Sequence, residues 1–307
     1  MPVEMLEISR PAPALPAGVP VAVRCLCYAF RQIRGYGRFL PFFARRFSSL
    51  QQVTIDSFFA GPLSLDLREL ICLPLFVFGY YKHQFAEDRL LHHLVRPGMR
   101  IFDIGANIGY YMGFFSQRVG QRGLVVSVEP MPRALRLLRE TASFCGPSAK
   151  VVEAAIGSHP GQANLHEQQH LDTSWVSFNG GKAGHTIPVL TIDQLADQFG
   201  VPHILKIDVE GAELEAVRGA QKTIADSTPP IVMIEYIPGN AAQFGGYSLD
   251  DLLKFFPKDS FRVYRVLHSG RLIEANAVHA EGSTNDYLAV PLSRASEVER
   301  WVCGSAA

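Results

Sequence analysis

The chain has 307 residues, 48% hydrophobic and 19% charged, with 29 basic and 29 acidic side chains. This is an ordinary globular composition, long enough for one large domain with an extension. The balanced charge excludes a global field for nucleic acid or strongly acidic substrates, so no nucleic-acid partner is expected.

Residues 1–20 carry Pro2, Pro11, Pro13, Pro16 and Pro20 and read as a disordered leader. An extension over 21–96 follows. In residues 21–47, six arginines (Arg24, Arg31, Arg34, Arg38, Arg45, Arg46) alternate with aromatic and aliphatic residues, and no acid occurs. The segment reads as a helix packed on the main domain with its arginines in water. The alternative is peripheral contact with an anionic membrane surface through 21–47. Five cysteines (Cys25, Cys27, Cys72, Cys145, Cys303) are scattered and odd in number. With no secretory signal evident, reduced thiols and a cytoplasmic location are expected. Cys25-x-Cys27 lacks a second ligand pair, so no metal is expected there.

Alternation from Gln51 to Leu67 predicts a hairpin turning at Gly61-Pro62. The apolar run Ile71 to Tyr81 is too short to span a bilayer, which takes roughly 20 residues, and reads as a buried lid or helix. A helix through Phe85, Leu90, Leu91 and Leu94 ends at Pro97-Gly98.

The main domain is read as 97–293, with 294–307 as a tail. It opens on Ile101-Phe-Asp-Ile-Gly105-Ala106-Asn107-Ile-Gly109. An apolar strand, a glycine turn and then a helical spacing from Tyr110 form the first half of a nucleotide-binding crossover. The turn lacks G-x-G-x-x-G, so it offers no compact pyrophosphate cradle. It suits a cofactor carrying an amine, a carboxylate and a ribose, such as S-adenosylmethionine. Asp103 could hold the ammonium, and the turn's N–H groups the carboxylate.

The rhythm continues with strands at Leu124–Val128, Val151–Ile156, Ile204–Val209 and Pro230–Glu235. Later strands fall at Phe261–Leu267 and Asp286–Val290. Helices lie between them, including a Thr191-capped helix and one from Gly211 to about Ala225. Residues 157–187 read as a hairpin and loop insertion. The fold class is α/β, a Rossmann-like doubly wound, mostly parallel, seven-stranded sheet with an N-terminal helical and hairpin extension. Glu129 ends the second strand, where an acid can bind ribose hydroxyls. Lys206, Asp208 and Glu210 share a face under simple alternation. Charges there need a partner or a ligand; the reading is a polar site, with a structural ion pair as the alternative for Lys206. Glu235 ends the fifth strand and can border the same crevice.

Asp-Ile-Gly-Ala-Asn-Ile-Gly, Val-Glu-Pro, Thr-Ile-Asp-Gln-Leu, Leu-Lys-Ile-Asp-Val-Glu-Gly-Ala-Glu, Met-Ile-Glu and Asn-Asp-Tyr-Leu-Ala-Val occur in the order seen in the FkbM family, which the chain resembles over about 60–291. The resemblance implies an S-adenosylmethionine-dependent methyltransferase, many relatives being O-methyltransferases. It implies Gly105, Ala106, Asn107 and Gly109 against the amino-acid part of the cofactor. It further implies Glu129 on the ribose, Ala155 and Ile156 at the adenine, and Asp208 near the methyl-donor end. Family members often carry glutamate after Gly-x-Tyr, whereas this chain has Gly79-Tyr80-Tyr81-Lys82.

The expectation is O-methylation of a hydroxyl on a small molecule or glycan-like acceptor. Asp208, Glu210 and Glu235 are candidates for proton removal, with His166, His170 and His185 in the insertion. The rival readings are a nicotinamide-dependent oxidoreductase, which the absent G-x-G-x-x-G opposes, and a non-catalytic cofactor-binding, membrane-associated module.

Overall fold

A computed structural model describes residues 21, 25, 36–166, 175–177, 186–275 and 283–303. The expected leader, most of the basic segment before residue 36, and His170 and His185 lie outside the described residues.

Helix α1 (Tyr36–Arg46) is followed by a hairpin, β1 (Val53–Ser57) and β2 (Gly61–Leu65). Its turn is Phe58 to Ala60, not the expected Gly61-Pro62. Ser57 pairs with Gly61 and Asp56 with Pro62, so both residues belong to the second strand. In a two-stranded hairpin every strand is an edge, which tolerates proline's missing N–H. Helices α2 (Cys72–Phe78) and α3 (Phe85–Leu94) complete the extension.

The main domain alternates β3 (Arg100–Ile104), α4 (Tyr110–Val119), β4 (Leu124–Val128), α5 (Pro132–Cys145) and β5 (Ala149–Val152). Next come β6 (Ala155–Ile156), β7 (Gly161–His166), β8 (Trp175–Ser177), β9 (Thr186–Leu190) and α6 (Ile192–Phe199). Then β10 (Ile204–Ile207), α7 (Glu213–Arg218), α8 (Gln221–Ile224), β11 (Ile231–Glu235), α9 (Pro238–Gln243) and α10 (Leu249–Leu253) lead to β12 (Phe261–Leu267), β13 (Leu272–Glu274) and β14 (Ser283–Pro291).

The large sheet has the order β13-β12-β14-β11-β10-β3-β4-β5. β5, β4, β3, β10 and β11 are parallel; β14, β12 and β13 extend them antiparallel. There are eight strands, not seven, because β12 folds back on the short β13. The expected strand Val151–Ile156 is two. It breaks at Glu153-Ala154, leaving β5 in the large sheet and sending β6 to a second sheet of order β6-β9-β7-β8. The expected helix after Gly211 is also two, α7 and α8.

Alternating side chains build a core on each face of the large sheet. Phe102, Ile104, Leu205 and Ile207 pack with Leu195 of α6 and Val217 of α7. On the other face Ile101, Phe114 and Phe115 pack with Leu50, Ile55, Leu63, Phe76 and Leu90 of the extension. The extension therefore shares the domain's core. Each such fully buried aromatic or aliphatic side chain contributes about 1.5–3 kcal/mol. The hairpin is also tied to α5, where the Ser64 N–H donates to Thr141 Oγ1 at 3.3 Å and the Ser64 hydroxyl bonds Glu140.

Candidate active site

Strand register builds the site. Ile104 pairs with Val128 on one side and Ile207 on the other, and Ile207 pairs with Ile234. The residues that follow these positions are Glu129, Gly105, Asp208 and Glu235. They stand side by side along the carboxyl ends of β4, β3, β10 and β11, the edge where open α/β sheets bind ligands.

Gly105 has φ +84°, and a Cβ there would lie 1.8 Å from the Asp208 carbonyl oxygen. Only glycine lets the first turn cross so close to its neighbour. Gly109 starts α4 at φ +90°, with Leu138 and Thr141 of α5 filling the space a side chain would take. Asn107, at φ 48°, holds the left-handed position between them. Glu129 fastens this turn from the next strand. One oxygen accepts the Asn107 N–H at 2.8 Å and the other the Met131 N–H at 2.8 Å. Burial raises its carboxyl to about 7, against the lowering effect of those two bonds.

At the end of β10, Lys206 Nζ lies 2.7 Å from Asp208 Oδ2 and 4.5 Å from the centre of the Tyr111 ring. The Lys206 ammonium is buried, and Asp208 and Asp103 keep its pKa above the ordinary lysine value despite that burial. The ion pair and the polar site expected for Lys206 are the same object. The strand itself stops at Ile207, so alternation does not carry Glu210 to this face. A turn does so, with Glu210 in the left-handed region at φ 53°. Glu213 braces that turn, its Oε1 accepting the N–H of Gly211 at 2.9 Å and of Val209 at 3.3 Å. Tyr247 donates its hydroxyl to the other Glu213 oxygen at 2.5 Å.

Oxygen atoms of Asp208, Glu210 and Glu235 come within 4.8 Å of one another, close enough to share a proton or a cation. Glu210 is exposed as a residue, yet desolvation of its carboxyl, then Asp208 and Glu213 beside it, raise it to about 7. Desolvation, Asp208 and Asp286 raise Glu235 further. Behind them the Tyr110 hydroxyl donates to buried Asp88 at 2.7 Å, and burial raises the Asp88 carboxyl to about 7.

A cavity of about 410 Å³ opens at these strand ends. Gly105, Ala106, Asn107, Glu129, Ala155, Ile156, Asp208, Glu210 and Glu235 all reach it. Two expected contacts do not. Asp103 is fully buried within β3, in register with Lys206, with Oδ2 accepting the Ser127 hydroxyl at 3.3 Å. Gly109 packs on α5 instead. His166 bonds Ser177 at 2.7 Å and is not among the lining residues. Conversely, Tyr81, His83 and Gln84, together with Ile71 and Pro74, close the cavity from the extension. The apolar run was legible as a lid; the Tyr81-x-His83-Gln84 stretch has no local pattern that marks it.

The cavity volume is typical of a small-ligand site. The donor set fits S-adenosylmethionine: a carboxylate at the ribose position, and a turn too tight for any side chain at Gly105. The Asn107 side-chain oxygen is also buried without a partner among the described residues. Glu129 and the 105–107 turn would hold the ribose and amino-acid parts, and Ala155 and Ile156 an apolar ring.

Residues 103–266, more than half of the chain, match the Methyltransferase FkbM domain. Among characterised proteins, the chain is 30% identical over 137 residues to protein-L-isoaspartate O-methyltransferase 1 of Arabidopsis thaliana, covering 44% of this chain and 55% of that protein. It is 38% identical over 64 residues to the enzyme of the same name from Archaeoglobus fulgidus, covering 21% of this chain and 30% of the other. The chain thus spans 55% and 30% of the lengths of these relatives. A solved FkbM methyltransferase from Methylobacillus flagellatus KT aligns over 72% of this chain and 53% of its own, at 17% identity and TM-score 0.43. The fibrillarin of Aeropyrum pernix, solved with S-adenosyl-L-methionine bound, aligns over 64% and 68%, at 13% identity and TM-score 0.36. The match over more than half of its length settles membership: this protein belongs to the FkbM methyltransferase family.

Proposed function

We propose that the protein methylates a hydroxyl group of a small molecule or sugar-containing metabolite. The observation that carries this reading is the carboxylate cluster of Asp208, Glu210 and Glu235, facing the same cavity as the Glu129 and Gly105 turn. Bound S-adenosylmethionine supplies an already activated methyl group. The work left to the protein is positioning, exclusion of water and removal of the acceptor proton. Tyr81, Ile71 and Pro74 cover the cavity and limit water. Lys206 fixes the direction of the Asp208 carboxylate through their 2.7 Å contact. Glu210, with a pKa near neutrality, accepts the hydroxyl proton, since a base works best when its pKa lies near the operating pH. Glu235, held protonated by desolvation and by its acidic neighbours, donates a hydrogen bond to the acceptor.

The test is transfer of labelled methyl to a panel of hydroxylated acceptors. The rate should rise with pH through about 7 and level off above it. Glu210→Gln should lower kcat by about 10²–10⁴ and abolish that rise. Full activity of Glu210→Gln would remove it from the proton path. Activity lost to a chelator and restored by magnesium would assign proton removal to a cation at the same three carboxylates.

A further inference from the structure

Helix α1 is amphipathic in an unusual sense. Leu40, Pro41 and Ala44 are buried, and they dock the helix on the protein. The opposite face is not polar. Phe39 is 51% exposed and Phe42 68%, with half-buried Phe43 between them. Phe47, just past the helix, is 45% exposed. The Phe42 and Phe43 rings meet edge to face at 5.7 Å, and Phe43 stacks on Phe47 at 6.4 Å, so the aromatics form a continuous ridge. Exposed aromatic patches of this kind mark interaction sites.

Charge says what the ridge meets. Arg45 and Arg46 stand exposed at the helix end, and neither has a carboxylate partner among the described residues. Arg45 also borders a cleft of about 280 Å³ that holds Arg68, Arg133 and Arg136. Those three are matched by Asp66, Glu69 and Glu140. The surface beside the ridge is therefore in surplus by the two unmatched arginines. Aromatic rings with arginines at their edge, and no acid in residues 21–47, complement an anionic, apolar-backed plane. A protein partner's face would more often balance arginines with acids and aromatics with a pocket.

We infer that α1 lies in the interface of an anionic lipid bilayer, with Phe39, Phe42 and Phe47 among the headgroups and Arg45 and Arg46 on lipid phosphates. No described helix is long and apolar enough to cross a membrane, so this contact is peripheral. α1 packs against α2, whose Pro74, with Leu70 and Ile71 before it, lines the cavity. The bound surface thus lies one helix away from the cavity wall.

The test is co-sedimentation of the full chain with vesicles of phosphatidylglycerol and phosphatidylcholine, and with phosphatidylcholine alone. The full chain should pellet with the anionic vesicles, lose that binding in high salt, and stay in solution with the neutral ones. Arg45→Gln with Arg46→Gln should weaken partitioning about 25-fold, at roughly fivefold per basic residue. Phe42→Ser should weaken it independently of salt. These side chains are exposed, so unchanged thermal melting and S-adenosylhomocysteine binding check that each variant is folded. Absence of anionic-vesicle binding, or binding unaltered in the folded variants, overturns the inference. Concentration-dependent dimerisation lost in Phe42→Ser, without vesicle binding, would assign the ridge to a second copy and likewise overturn it.

Discussion

Asp208 touches most of what the site requires: it bonds Lys206, abuts the Gly105 turn through its backbone oxygen, and clusters with Glu210 and Glu235. Its charge keeps Lys206 oriented, and it faces the cavity where the acceptor should meet the methyl group. Asp208→Asn preserves shape and removes charge. We expect kcat to fall about a hundredfold or more, as when a preorganised electrostatic group is lost. Asp103 remains beside the lysine, so the ammonium is not orphaned and the fold should persist. Steady-state kinetics with the true acceptor check this; near-normal turnover would make Asp208 a structural ion-pair partner only. Asp208, Gly105 and Glu129 were legible from sequence because each directly follows an apolar strand. Asp103 lies within β3 rather than after it, buried in register with Lys206, and does not reach the cavity wall.

At the scale of elements, the turn from Val209 to Gly211 carries the proposed base, and Glu213 with Tyr247 holds it. Tyr247→Phe removes one hydrogen bond to a carboxylate, which is worth about 1.5–3 kcal/mol. The variant should melt at a lower temperature and show a reduced kcat, with S-adenosylhomocysteine affinity little changed, because the cofactor turn is on other strands. An equal loss of affinity would mean that the two turns act as one unit. Tyr247 and Glu213 are 34 positions apart, and no local spacing reveals such a contact. The same limit explains the other departures. The capping box at Thr191 is local, and the expected helix formed there. The division of Val151–Ile156 between two sheets depends on β9, which is distant in sequence. The lid residues Tyr81 and His83 enter the site only because the whole extension folds back over the sheet ends.

For the whole molecule, the concentration of buried acids has a thermodynamic consequence. Desolvation raises Asp88, Glu129 and Glu210 to about 7. A raised carboxyl pKa contributes stability that is complete below the unfolded value of about 4 and is lost as pH rises through the folded value. Partly desolvated histidines work the other way: the pKa values of His83, His92, His93 and His203 are lowered, and their gain grows through about pH 6.5 and is complete only about a unit above it. Between about pH 4 and 7 the loss from the carboxyls outweighs the weaker histidine gain, and the free protein should lose stability across that window. Urea midpoints measured across it check the sign. Glu129→Gln, neutral throughout, should flatten the slope, whereas stability rising with pH would contradict the burial of these acids.

Glu129 also offers the most direct test of the central claim, that the strand-end cavity is a cofactor site. Calorimetric titration of the unmodified protein with S-adenosylhomocysteine should give one saturable site. Glu129→Ala loses the carboxylate that fixes the Asn107 and Met131 N–H groups and that would accept the ribose hydroxyls. Bonds to charged groups are worth about 1.5–3 kcal/mol each, so affinity should fall at least about tenfold in a variant that still melts cooperatively. No saturable binding by the unmodified protein, or the same affinity in folded Glu129→Ala, would contradict the account.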